Sequence, residues 1–159
     1  MQLFLDCDGV LADFDSFAAE IMGMNPREFE RQKGAGKFWS EIYSTQNFFT
    51  RLPKMHDADI LVESVRHLNP IILTGTPRQG EDMWATKQKL AWRDIHFPDL
   101  HMITCESKDK FLHHVPNKHN VIVDDWPQHK QVWEDNGGTF IVHTSAEDSL
   151  RQLRELGVI

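Results

Sequence analysis

Five short apolar runs constrain this chain more than any other feature: Leu3-Phe4-Leu5, Ile71-Ile72-Leu73, Met102-Ile103 within His101–Thr104, Val121-Ile122-Val123, and Phe140-Ile141-Val142 within Thr139–Val142. Each is too short for a helix and lacks polar alternation, the signature of a strand buried on both faces. Between them lie stretches with helical spacing. Ala58, Leu61, Val62, Val65 and Leu68 share one face and stop before Asn69-Pro70, and Ser145 caps a last helix carrying Leu150, Leu153 and Leu156. Strands that alternate with helices predict an α/β fold, with a Rossmann-like parallel five-stranded sheet covered by helices on both faces.

The link between the first two runs is far longer than one crossover helix requires. It contains Phe17, Ala18, Ile21 and Met22 at helical spacing. Asn25-Pro26 then starts a second helix, Gly34-Ala35-Gly36 interrupts, and an aromatic-rich segment runs from Phe38-Trp39 to Phe48-Phe49. This predicts a small helical cap over residues 15–69, inserted after strand 1 into an α/β core made of residues 1–14 and 70–159. Glu81 to Ala91 reads as a helix with Trp84 and Leu90 inward, and Lys87 and Lys89 read as its solvated face.

At 159 residues the chain suits one compact domain with such an insert. Its formal net charge of −7 argues against an extended nucleic acid as the main ligand, because that requires many Lys and Arg on phosphates. Two cysteines make no disulfide framework; Cys7 and Cys105 read as small buried residues in a reducing compartment. No stretch approaches the ~20 apolar residues of a membrane span. The expectation is a cytoplasmic protein, monomeric or homodimeric.

The runs end in chemistry. Asp6 and Asp8 follow the first, Thr74-Gly75 the second, Lys108 or Lys110 the third, and Asp124-Asp125 the fourth. In a parallel sheet these ends meet in one crevice. Clustered carboxylates repel and call for a cation, and oxygen-only ligands favour Mg²⁺, which keeps open positions for phosphate oxygens. A Thr hydroxyl, the Gly75 amide and a Lys ammonium bind phosphate. The set describes a phosphoryl-transfer site.

Asp6-x-Asp8-Gly9-Val10, Leu73-Thr74-Gly75, a following Lys and Asp124-Asp125 resemble, in order, the four motifs of the haloacid dehalogenase (HAD) superfamily of phosphatases. The stretch Asp6-Cys7-Asp8-Gly9-Val10-Leu11-Ala12-Asp13-Phe14 is also similar to the first motif of the 5'(3')-deoxyribonucleotidase family. Phe38-Trp39 and Phe48-Phe49-x-x-Leu52-Pro53 resemble that family's cap, and Ser107-Lys108-Asp109-Lys110 its phosphate-contacting segment. The resemblance implies Asp6 as nucleophile, Asp8 as general acid and base, Thr74 as phosphoryl ligand and Lys110, or Lys108, as motif lysine. Asp6, Asp8, Asp124 and Asp125 would hold Mg²⁺. Phe14, Phe38, Trp39, Gly75 and Lys108 would contact substrate, a small phosphate ester and in this family a deoxyribonucleotide. Other small phosphates or a nucleic-acid end are the alternative substrates. Outside enzymes, a phospho-acceptor signalling domain shares the ingredients but places its acceptor Asp on a middle strand.

Overall fold

The computed structural model describes residues 1–159. All five apolar runs are strands: β1 (Gln2–Leu5), β2 (Ile71–Thr76), β3 (His101–Glu106), β4 (Asn120–Asp124) and β5 (Thr139–Val142). They form one sheet in the order β3-β2-β1-β4-β5, and every pairing is parallel. Helices α1 (Phe14–Met22), α2 (Pro26–Lys33), α3 (Ala35–Ser44), α4 (Ala58–Val65), α5 (Trp84–His96), α6 (Lys130–Asp135) and α7 (Ala146–Glu155) complete the fold. No helix is long and apolar enough to cross a membrane.

The runs lack alternation because both sheet faces are covered. Leu3, Leu5, Ile72, Val121, Val123 and Ile141 join the larger core with α1, α4, α5 and α7. Phe4, Leu73, Ile122 and Phe140 point the other way and pack around Trp133 of α6, whose ring meets Phe4 edge-on at 5.6 Å. The period of two along a strand assigns successive residues to opposite layers. Cys7 and Cys105 are both free.

The stretch 15–69 divides. Helices α1, α2 and α3 pack on one another, whereas α4 packs on α7 and carries the crossover back to β2. Asp57, just before α4, does not cap it; its Oδ2 accepts from the Ala146 N–H at the start of α7, at 2.7 Å.

Three local expectations change. Strand β2 does not stop at Leu73 but pairs with β3 through Thr74, Gly75 and Thr76. Backbone pairing continues there because β3 also runs on to Glu106. Helix α5 starts at Trp84, after Met83 in a left-handed conformation, and runs on to His96. Its buried residues are Ala85, Lys89 and Trp92, so Lys89 is not on a solvated face: it lies four residues after Ala85 and three before Trp92, on the stripe that meets the sheet.

Trp92 ties α5 to the segment that leaves the cap: fully buried, it donates from Nε1 to the Leu52 carbonyl at 2.8 Å. Trp92→Ala is expected to destabilise the protein by about 3–5 kcal/mol, the usual range for a buried aromatic. Trp92→Phe is expected to lose less, about 1–3 kcal/mol, because the buried Leu52 carbonyl loses its donor. Urea denaturation of both variants checks the difference.

Candidate active site

The loop after β1 brings two carboxylates to the end of the sheet. Asp6 follows Leu5 with its N–H on the Val123 carbonyl, so β4 fixes where the strand stops. Gly9 then turns the chain with φ 81°. A Cβ there would lie 1.9 Å from Asp125 Oδ2, so glycine meets two demands: a left-handed backbone and room for a carboxylate.

Asp6, Asp124 and Asp125 each offer an oxygen within 4.8 Å of the others. Lys110 bridges two of them, with Nζ 2.9 Å from Asp6 Oδ1 and 2.8 Å from Asp124 Oδ2. Asp6 Oδ1 also accepts the Cys7 N–H at 2.8 Å, and Asp124 Oδ1 accepts the Trp126 N–H at 2.8 Å. Burial and the neighbouring Asp124 push Asp6 up to about 6, against the pull of Lys110. Burial, then Asp6 and Asp124, push Asp125 up to about 8. Burial by itself would lower the Lys110 ammonium, but Asp6 and Asp124 outweigh it and hold it protonated. One lysine therefore leaves the cluster short of positive charge. Three oxygen donors around a deficit of cation suit Mg²⁺.

Asp8, expected among the metal ligands, has its carboxylate outside this group, because Oδ2 is held by Lys89 Nζ at 2.7 Å. Its Oδ1 is buried without a hydrogen-bond partner. Burial pushes the Asp8 carboxyl up, and Lys89 opposes that.

A cavity of about 320 Å³ opens over these groups, within the range of small-molecule sites. Asp6, Asp8, Gly75, Lys110 and Asp125 line it from the sheet side; Phe14, Phe38 and Trp39 line it from helices α1 and α3. Phe14 and Phe38 are otherwise buried against each other, whereas Trp39 is 36 % exposed. Thr74 and Lys108 do not reach the cavity. Because Thr74 continues the strand, its side chain falls on the α5 face, fully buried, and accepts from Lys89 at 3.0 Å. The opposite face at Gly75 approaches Ser107, where a Cβ would lie 1.8 Å from Ser107 Oγ, and Ser107 borders the cavity. Lys108 points outward, with its side chain 74 % exposed, and pairs with Glu106. Of the two candidate lysines, the structure brings Lys110 to the carboxylates.

Sequence reasoning missed Ser107, Thr76, Trp126, His129 and the α2 residues Arg27 and Glu30, which also line the cavity. Arg27 lies over the Trp126 ring at 5.2 Å. Ser107 and Trp126 adjoin the strand-end motifs, and that adjacency was the available signal. Arg27 and Glu30 had none, because only the placement of α2 turns that side of the helix toward the cavity.

No protein-family model matches the chain, and no curated protein sequence matches it. Its backbone is similar to that of a haloacid dehalogenase-like family hydrolase from Streptococcus pneumoniae, with TM-score 0.55 and 12 % identity over 94 % of this chain and 89 % of the other. It is also similar to a hydrolase from Pseudomonas syringae, with TM-score 0.53 and 14 % identity over 98 % of each chain. The chain has the fold of the haloacid dehalogenase-like hydrolases. As a rule, open α/β sheets bind ligands in the crevice at the carboxyl ends of their strands.

The carboxyl shifts give a pH-dependent expectation. Without a cation, folded Asp6 keeps its proton up to about pH 6 and Asp125 up to about pH 8. Both release it near pH 4 when unfolded. These two groups therefore lose stability as pH rises through that window. Cation binding requires the deprotonated forms. The rise in Tm on adding millimolar Mg²⁺ is expected to be larger at pH 8 than at pH 5, read by thermal melts with and without chelator.

Proposed function

We propose that the protein is a Mg²⁺-dependent phosphomonoesterase that works through an aspartyl-phosphate on Asp6 and acts on nucleoside monophosphates, deoxyribonucleotides foremost. The observation that carries this reading is the Lys110 bridge between Asp6 and Asp124, with the unpartnered Asp8 Oδ1 two residues along the same loop. Asp6, Asp124 and Asp125 would hold Mg²⁺, which when bound supplies charge neutralisation for the phosphoryl oxygens.

This chain's residues do the rest. Both anchors on Asp6 fall on Oδ1, so Oδ2 is assigned the attack on phosphorus. The bond from phosphorus to the ester oxygen breaks, and Asp8 gives its proton to that oxygen. Asp8 then takes a proton from water, the water oxygen bonds to phosphorus, and the phosphorus–Asp6 bond breaks to release phosphate. An upward-shifted Asp8 suits a group that must start protonated. Ser107 and the Gly75–Thr76 backbone take the phosphoryl-binding task expected of the Thr74 hydroxyl. Lys110 reduces the repulsion between a carboxylate nucleophile and a phosphate dianion.

Helices α1 to α3 act as the cap that meets the far end of the substrate. Phe14, Phe38 and Trp39 offer a base an apolar wall. A second reading, a sugar phosphate, draws on Asp15, Arg27 and Glu30 on the same wall, whose polar ends suit hydroxyl groups.

Three measurements test this. A phosphate-release screen over nucleoside monophosphates and sugar phosphates is expected to show Mg²⁺-dependent turnover that is highest on a deoxyribonucleotide. Asp6→Asn is expected to abolish that turnover while Tm holds or rises, since one repelling charge is gone; wild-type activity in this variant would refute the nucleophile. Trp39→Ala is expected to lower kcat/KM on the nucleotide by roughly tenfold, matching a stacking contribution of ~1–3 kcal/mol, and to leave a small ester without a base nearly unaffected.

A further inference from the structure

The reaction scheme leaves one buried cation unused. Lys89 is only 2 % exposed, yet it reaches the site's edge from α5. Its Nζ donates to Asp8 Oδ2 at 2.7 Å and to Thr74 Oγ1 at 3.0 Å, and it lies 4.4 Å from the centroid of the Phe49 ring. A lysine ammonium has three donors; two are committed, and the aromatic face lies beside it. Lys89 does not line the cavity and is not placed to meet a substrate.

Its position is fixed on all sides. Gln88, its neighbour, accepts the Phe49 N–H at 2.9 Å through Oε1, and the Gln88 carbonyl accepts from Thr50 Oγ1 at 3.1 Å. One turn along, Trp92 holds the Leu52 carbonyl. A buried ion pair is rarely the most stable filling for such a space; apolar side chains of similar volume often do as well or better. Keeping an ammonium here calls for a task other than packing.

The task follows from the two oxygens of Asp8. Oδ1 is closed off and unpartnered, yet the Asp8 side chain as a whole stays 28 % exposed and lines the cavity, with Oδ2 held by Lys89. The neighbouring carboxylate, Asp6, is held by a different lysine, Lys110. Each acid of the Asp6-x-Asp8 pair thus has its own cation, which keeps nucleophile and proton carrier distinct.

We propose that Lys89 is a positioning residue for general acid–base catalysis: by clamping Oδ2 it fixes the direction of the Asp8 carboxyl, the group that passes the proton to the leaving oxygen and takes it back from the attacking water. This rests on the phosphomonoesterase reading above. Lys89 exchanges no proton itself; its ammonium stays intact through both half-reactions.

The test compares esters whose leaving groups differ in their need for a proton. In Lys89→Met, kcat/KM on an alkyl phosphate is expected to fall about 100-fold or more, the lower end of what a general acid contributes. On p-nitrophenyl phosphate, whose leaving group departs unprotonated, the fall is expected to be at least tenfold smaller, again because only the alkyl ester needs the acid. Slowed hydrolysis of the aspartyl-phosphate is expected to give a burst of nitrophenol equal to the enzyme present. Lys89→Gln, which keeps donors but not the charge, serves if the Met variant does not fold. Adding Asp8→Asn to either variant is expected to cause little further loss on the alkyl ester. Equal losses on both esters, a wild-type profile, or failure of both variants to fold would assign Lys89 to the core and overturn the proposal. A wild-type protein that hydrolyses no phosphate ester would instead refute the phosphomonoesterase reading itself, and the clamp with it.

Discussion

The structure depends on crowding like charges where a buried sheet ends. Asp6, Asp124 and Asp125 lie together under a cavity, and a single ammonium, Lys110, bridges two of them. In so dry a place carboxylates resist ionising. Everything near them answers that problem. Gly9 gives Asp125 its space, the Cys7 and Trp126 amides satisfy Asp6 and Asp124, and Lys110 comes from the turn after β3 to reach both. The sheet order makes this possible, because β1 and β4 are neighbours and deliver their terminal acids side by side.

Most of this frame was legible in the chain. Short apolar runs without alternation point to strands covered on both faces, and their alternation with helices points to a parallel sheet. The acids were legible because Asp6, Asp8, Asp124 and Asp125 stand at the abrupt ends of those runs. What could not be read was the direction of individual side chains. Thr74 lies one residue inside a strand that runs on longer than its apolar core, and that one residue turns its hydroxyl from the cavity to α5. Lys108 and Lys110 look alike in sequence, but a 3₁₀ turn over Ser107–His113 sends one outward and the other in.

Lys89 is the clearest case of a misread residue. Lysine is so rarely buried that its type outweighs its position. The expected helix ended at Ala91 and faced inward through Trp84 and Leu90, so Trp92 had no place in it; only the longer α5 puts Ala85, Lys89 and Trp92 on one stripe. A charge on a buried stripe must have a partner. Its partner, Asp8, was already singled out for catalysis.

Trp126 has two attachments of different kinds. Its backbone N–H holds Asp124, while its ring, 40 % exposed, lies beneath Arg27 of the cap. The link above is a soft stack with half-exposed partners; the link below is a short hydrogen bond to a buried acid. The two links differ in what they answer to: a change at the Trp126 ring is felt by α2, whereas a change in its backbone is felt by Asp124.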